Sequence, residues 1–573
     1  MPRPRRQHCR RQRRHRCLHR KTPAFVRGAL STTAFTPGSI STTPDTYPTK
    51  ESDSIMWLYR EIRTLGDFPR HYAQTLPDRP AIIDANGPLS WAELDRRTNA
   101  FANTLAGLDI AADDRVAFLG KNSSKFFEIL FGANKIGAAL LPLNWRLAVP
   151  ELTDIVADAA PKLIVADSEY LDVANEVATR TDQTYRVIGF DSTSGTGELD
   201  VLSDGASKTD PGTEVNPWST AVLMYTSGTT GSPKGVQLSH QGYLYLNLCE
   251  HLEPSFSYTS EDSMLTVMPL FHAMGLGLSL QALYNGAAVA VYSMPDPGTL
   301  IEIIERDRPT ILPLIPTVIQ AMLDHPKTGP ETFTTLRVVV YAGAPMPPHL
   351  LKRALLTLDC DFVQFYGATE TGRGVTFLRP EQHRRGIKLN SIGSPLPLVE
   401  IMVADPLGEE LPAGEVGEFL IRSPSLTTGY FDQPETTAAA FHDGWYRSGD
   451  GGYKDEDGFF FLVDRVKDMI ITGGENVYST EVEQALQQVD GVEMCAVIGV
   501  PDDKWGERVT AVVVPRSAGS LTEQEVIAKC RELIAGYKVP KEILFVESLP
   551  MTGSGKIMKG ALRDDFARDK DDT

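Results

Sequence analysis

Apolar residues fall along this chain in short runs, and the period between runs changes twice. Between about residues 80 and 375, compact runs occur at 116–119, 138–143, 162–166, 311–315, 338–341 and 362–366. They are rich in β-branched and aromatic residues and too short for helices, so they predict strands. Segments of helix length lie between them. In 126–136, apolar residues recur at three- and four-residue spacings, which predicts a helix. Strands alternating with helices predict an α/β fold with parallel, doubly wound sheets. From 392 to 463 the pattern turns to strand, turn, strand with many glycines, a small β-rich subdomain. After Asp464 it resets. Thr480 and Glu483 form a T-x-x-E box expected to start a helix running to about Gln488. Strands are expected at 494–500, 509–514 and 542–546, with a second helix over 524–533. The expected organisation is a tail over 1–55, a large domain over 56–464 opening with a helix at 56–65, and a small α+β domain over 465–573 on a charged hinge at Asp464-Arg-Val-Lys-Asp468. No internal repeat is visible.

Composition supports several domains. A chain of 573 residues exceeds the span of about 250–300 that one core supports. The most apolar stretch, 274–292, is interrupted by Ser279, Gln281 and Asn285 and falls short of the ~20 apolar residues of a membrane span. It reads as a buried helix plus a strand, and no transmembrane segment is expected. Six cysteines (Cys9, Cys17, Cys249, Cys360, Cys495 and Cys530) show no C-x-x-C spacing. That argues against a disulfide scaffold and the common zinc patterns, and for a reducing compartment.

The net charge of -18 is unevenly spread. Residues 1–50 hold 12 Lys/Arg and one acid, which leaves 44 bases against 73 acids in the rest. A body that acidic repels nucleic acid and anionic lipid, so neither is expected as its partner. The basic tail has three readings: an overlong translation start before Met56, an organelle transit peptide, or an electrostatic binder of nucleic acid or membrane. The expected location is cytoplasmic, or mitochondrial if the tail is a transit peptide.

The most informative segment is Tyr225-Thr-Ser-Gly-Thr-Thr-Gly-Ser-Pro-Lys-Gly-Val236. It follows a strand-like run at 221–224 and carries three glycines, five Ser/Thr residues and Lys234. Glycines let backbone amides converge on an anion, hydroxyls donate hydrogen bonds, and the lysine adds a point charge. These are the needs of a polyphosphate. Neither G-x-x-x-x-G-K-[ST] nor G-x-G-x-x-G fits.

This segment resembles the phosphate loop of the adenylate-forming superfamily of acyl- and aryl-CoA synthetases, peptide-synthetase adenylation domains and beetle-type luciferases. Further motifs appear in the family's order from about Met56 to Arg563. The resemblance implies that Thr226, Ser227, Gly228, Thr229, Thr230 and Lys234 hold ATP phosphates, with Thr226 and Glu370 at Mg²⁺. Gly343-Ala344-Pro345 matches the adenine-pocket segment. In Gln364-Phe-Tyr-Gly-Ala-Thr-Glu370, Tyr366 is placed against adenine, with Gln364, Gly367 and Ala368 around the nucleotide, and Thr369 at the α-phosphate. In Tyr446-Arg-Ser-Gly-Asp450, Asp450 accepts from the ribose hydroxyls, which a carboxylate can do twice. Arg465 contacts the ribose, and Lys467 is the pivot. Gly473-Gly474 lets a pantetheine chain pass close to the backbone, and Lys556 in Pro550-Met-Thr-Gly-Ser-Gly-Lys-Ile557 is the adenylation lysine.

The implied reaction has two steps. A carboxylate attacks the ATP α-phosphate to give an acyl-adenylate and pyrophosphate; the small domain then rotates, and a thiol takes the acyl group. The segment Met268-Pro-Leu-Phe-His-Ala273 has no acid to pair a substrate ammonium, which argues against amino acids. His272 is expected either beside the acyl pocket, among the catalytic residues, or in the core. Trp505 is expected either stacked on the CoA adenine or in the core. Arg373 would face solvent or a phosphate, or pair with a second polar group on the substrate. The expected function is ATP-dependent ligation of a fatty or aryl acid to CoA, with ATP, Mg²⁺ and CoA required and a homodimer left open. Loading of a carrier protein and a non-catalytic nucleotide-binding regulator are the alternatives.

Overall fold

The computed structural model describes residues 61–564, except 182–184, 193–194, 227–232, 254, 330, 345, 466–467, 474, 503, 518, 520 and 552–556. Four sheets organise them. In the six-stranded sheet, Arg186–Phe190, Leu163–Asp167, Arg115–Leu119, Ala139–Leu143 and Thr220–Thr226 run parallel, and Lys234–Ser239 closes the edge as an antiparallel hairpin partner. A nine-stranded sheet has a parallel centre of six strands: Asp361–Gly367, Val338–Tyr341, Ile311–Leu314, Ser263–Thr266, Ala288–Val291 and Pro80–Asp84. Its edges are antiparallel. Leu163–Asp167, Ile311–Leu314 and Val338–Tyr341 are buried at every position. Strands covered on both faces have no need to alternate, which is why the sequence shows them as continuous apolar runs.

The glycine-rich stretch forms an antiparallel sheet of Glu400–Ala404, Gly417–Arg422, Trp445–Lys454, Phe441–His442 and Phe460–Arg465. The 274–292 stretch is the helix Ala273–Tyr284 followed by the strand Ala288–Val291. No helix among the described residues is long and apolar enough to cross a membrane. The segment read as an opening helix lies outside the described residues up to residue 60. Beyond Glu61 the chain is not helical until Asp67–Thr75.

C-terminal to Arg465, the long hairpin Val492–Asp502/Gly506–Pro515 is joined by Ile470–Thr472, Glu475–Val477 and Glu542–Phe545, with the helices Ser479–Leu486 and Glu523–Leu533 packed on it. The expected T-x-x-E box is absent here. Thr480 is already inside the helix, and no N-cap side chain bonds its first turn. Asp464 does so from the strand Phe460–Arg465, accepting from the N–H and hydroxyl of Ser479 and from the Thr480 N–H. Glu483 instead accepts from the Val497 N–H and pairs with Lys559. A T-x-x-E box does start the next helix, where Thr522 and Glu525 bond each other's backbone N–H.

Candidate active site

Several parallel strands deliver candidate residues at their carboxyl ends, where open α/β sheets bind ligands. Thr226 ends Thr220–Thr226, and Lys234 lies opposite it in register. Gly343 and Ala344 follow Val338–Tyr341 and are exposed. Gln364 and Tyr366 lie in Asp361–Gly367, with Gln364 buried. Position 367 admits only glycine, because a Cβ there would sit 2.2 Å from the Arg373 carbonyl oxygen. Ala368 leads into the single turn Thr369–Thr371, which the Thr371 hydroxyl locks by accepting from the Ala368 N–H and donating to a carbonyl.

Two hydrogen-bonded sets connect these residues. In the first, the Tyr366 hydroxyl donates to Asp450 Oδ2 at 2.6 Å, and Arg465 Nε approaches Asp450 Oδ1 at 2.6 Å. Asp450 and Arg465 are register partners on adjacent strands, so the pairing is built into the sheet. Asp450 is therefore a buried strand residue, shaped by Gly449 (φ +70°) and by Glu418, which accepts from the Gly449 N–H. Burial and the adjacent Asp450 carboxylate push the Tyr366 hydroxyl well above its ordinary pKa, so it stays a donor.

The second set centres on Glu370. Its Oε1 accepts from the Tyr430 hydroxyl at 2.9 Å, and its backbone carbonyl accepts from the Thr427 N–H. Lys234 Nζ lies 5.4 Å from the Tyr430 ring centroid. Tyr430 thus touches both the expected phosphate lysine and the expected metal carboxylate. The sequence does not single it out. Its only signal is a tyrosine after Gly429 in a Ser/Thr-rich loop, with no spacing that ties it to either partner.

The acceptor candidates lie in the C-terminal unit. Gly473 takes φ +61°, and its N–H donates to the Trp505 carbonyl. A Cβ there would approach the indole at 3.2 Å. Trp505 is 38% exposed, so it is not a core residue. Lys504 Nζ and Lys541 Nζ lie 4.7 and 5.9 Å from its ring centroid, on either side in sequence. Lys559 is held by the Ser479 hydroxyl at 2.5 Å and Glu483 at 2.7 Å. His272 precedes the helix Ala273–Tyr284, its ring edge-on to Phe271.

Arg373 does not face solvent. It is 4% exposed, pairs with Glu250 at 2.8 Å and donates to the Gly277 carbonyl. The sequence gives no hint of Glu250, 123 positions away. Burial pushes the Glu250 carboxyl up to about 8 although Arg373 pulls it down. Ser227, Gly228, Thr229, Thr230, Pro345, Lys467, Gly474 and Lys556 lie outside the described residues.

Candidate residues gathered at strand ends and a small α+β C-terminal part are the arrangement expected of an adenylate-forming enzyme. The chain belongs to the AMP-binding enzyme family: it matches that family over residues 69–431 and its C-terminal domain over 481–556. It is 40% identical over 503 residues to a feruloyl-CoA synthase of Amycolatopsis sp, covering 88% of this chain and 99% of that one. It is 35% identical to the fatty acid–[acyl-carrier-protein] ligase ScoC of Streptomyces coeruleorubidus, covering 88% and 97%. Among solved structures, ATP-bound MatB from Rhodopseudomonas palustris aligns with TM-score 0.80 and 30% identity, over 87% of this chain and 99% of that one. The protein is an AMP-forming acid–thiol ligase that works through an acyl-adenylate.

Proposed function

We propose that the thiol is that of CoA and that the acid is an aryl or fatty acid. The observation that carries the choice of acceptor is the exposed Trp505 indole near Lys504 and Lys541, beside Gly473. An aromatic face flanked by cations suits a purine bearing phosphates. A carrier protein presents its pantetheine without a nucleotide head and has no use for such a platform.

In this reading Lys234 and the Thr226 hydroxyl take the ATP phosphates, and Asp450 takes the ribose. Each Asp450 oxygen has one lone pair engaged, by Tyr366 or Arg465, and a second free to accept from the diol. Glu370 has Oε2 available while Tyr430 holds Oε1, and Thr226 adds a hydroxyl. That donor set fits Mg²⁺, which is bound by one or two protein oxygens plus phosphates and water, and which would supply charge neutralisation on the phosphates. Among the described residues no cluster of three or more His, Cys, Asp or Glu forms an all-protein metal cage. Lys556 would stabilise the charge that develops between acid and α-phosphate. The acid's oxygen bonds to the α-phosphorus and pyrophosphate leaves; the thiol then bonds to the acyl carbon and AMP leaves.

Thioester formation with CoA compared with bare pantetheine tests the acceptor. The reading expects CoA to have a kcat/KM about tenfold or more above pantetheine, since base–aromatic stacking alone is worth that factor. Equal use of the two thiols, with efficient loading of a carrier protein, would overturn it in favour of carrier loading, the activity named for the ScoC relative.

A further inference from the structure

An unbroken path of polar contacts leads from the Asp450–Arg465 pair to the helical residues 559–564 near the end of the chain. Asp464, buried in the strand Phe460–Arg465, is its junction. One oxygen, Oδ1, accepts from the Arg465 N–H at 2.8 Å, and Arg465 Nε lies 2.6 Å from Asp450. The other, Oδ2, accepts from the Ser479 N–H and, at 2.5 Å, from the Ser479 hydroxyl. Ser479 is fully buried, and its hydroxyl oxygen accepts in turn from Lys559 Nζ at 2.5 Å. Lys559 also pairs with Glu483 at 2.7 Å, whose Oε1 is itself held by the Val497 N–H.

The path joins two separately built parts of the fold. Asp464 is the register partner of Gly451 in the sheet that carries Asp450. Ser479 opens a helix whose Val482 and Leu486 pack into the core of the C-terminal unit. The preceding residue, Tyr478, gives that helix no side-chain cap. The cap comes instead from the neighbouring sheet, and the capped serine goes on to bind a lysine 80 positions away.

Lys559 belongs to the arm that carries Lys556. Met551 and Ile557 form an antiparallel bridge, and the Met558 N–H donates to the Pro550 carbonyl, so residues 552–556 are bracketed by paired backbone. Beyond them Leu562 packs with Ile498 and Leu549, while Arg563 pairs with Asp468 at 2.7 Å. Lys559 and Arg563 are four residues apart and share one helix face. Apolar packing is non-directional, so it presses the arm onto the sheet without setting its angle. Charged hydrogen bonds are directional, and here they set it.

We propose that Lys559 is a positioning residue for adenylation. Seated by Ser479 and Glu483, it fixes where Lys556, three residues before it, meets the nucleotide. Asp464 ties that position to Arg465 and Asp450, the pair assigned to the ribose. Lys559 touches no reacting atom and acts only by orienting the arm; a displacement of about 1 Å in such an arrangement can cost about 10²-fold in rate. The proposal rests on the role given to Lys556 in the reading above.

The test takes the full chain and its Lys559→Met, Ser479→Ala and Lys556→Ala variants, with cinnamate and octanoate as acids. Two half-reactions are measured: acid-dependent exchange of labelled pyrophosphate into ATP without thiol, and thioester from preformed acyl-adenylate and CoA. Lys559→Met should lower the kcat of exchange about 10²-fold and Ser479→Ala about tenfold, with the KM for ATP and the thioester half-reaction unchanged. Exchange unchanged in both variants would overturn the proposal. So would a proportionate fall in both half-reactions, which would make the path a purely structural tie. Undiminished exchange in Lys556→Ala would overturn the role of Lys556 itself, and this inference with it. Lost exchange in Lys556→Ala beside normal exchange in Lys559→Met would overturn the positioning role alone. No exchange with either acid in the unaltered protein would overturn the aryl or fatty acid of the reading above, and the inference with it.

Discussion

The proposed nucleotide side and the proposed acceptor side of this enzyme are built differently. On the nucleotide side, side chains restrain one another: Tyr366 with Asp450, Asp450 with Arg465, Tyr430 with Glu370. On the acceptor side, Trp505 is 38% exposed and is fixed through its backbone to Gly473, with lysines rather than packing around its ring. One region is organised before its ligand arrives; the other offers a surface that a ligand completes. A chain of net charge -18 that binds polyanions needs the first kind, because local donors must outweigh an unfavourable overall field. A region that serves an acceptor only after adenylation gains nothing from equal preorganisation.

The sharpest break between the sides would come from Lys556→Ala. Loss of one charge-stabilising donor costs about 10²–10³ in rate, so adenylation should fall by that factor while preformed acyl-adenylate is still converted to thioester. If both half-reactions fall together, the lysine does not divide them as described. Trp505→Ala should act in the opposite sense, raising the KM for CoA about tenfold and leaving adenylation unchanged. A change in acid-dependent adenylation would show the two sides to be one site.

Tyr430→Phe tests the restraint on the nucleotide side more gently. Losing one hydrogen bond to a charged group should raise the KM for Mg-ATP by about five- to tenfold, mainly by releasing Glu370, with the KM for CoA unmoved. An unchanged KM for Mg-ATP would remove Tyr430 from the site.

The smallest effect concerns stability. His240 opens the helix that follows the phosphate-loop hairpin, is fully buried, and accepts the Leu65 N–H at Nδ1. Burial lowers its pKa to about 3. The unfolded chain takes up a proton near pH 6.5 that the folded chain refuses, so the contribution is complete above that pH and is lost as pH falls toward 3. The slope is about 1.4 kcal/mol per pH unit, or about 2 kcal/mol between pH 6.5 and 5. Urea midpoints should fall accordingly and fall less for His240→Gln; identical pH slopes would contradict this.

The strands and the alternation that makes the large sheets were legible because buried parallel strands print as apolar runs. The candidate site residues were read from the resemblance of local motifs to those of the adenylate-forming family, in order along the chain. What the sequence hid is contact across distance. Tyr430 reaches Glu370 from 60 positions away, and Asp464 takes over the cap assigned to Thr480, since a neighbouring strand satisfies that turn better than the local box. Arg373 looked like a surface or substrate arginine because nothing near it announces Glu250.

The central claim, acyl-adenylate formation on a preorganised nucleotide side, is tested most directly by acid-dependent exchange of labelled pyrophosphate into ATP with no thiol present. The account predicts exchange that requires the acid and Mg²⁺ and is indifferent to Trp505→Ala. Exchange that appears only when CoA is added, or ADP as the product in place of AMP, would contradict it.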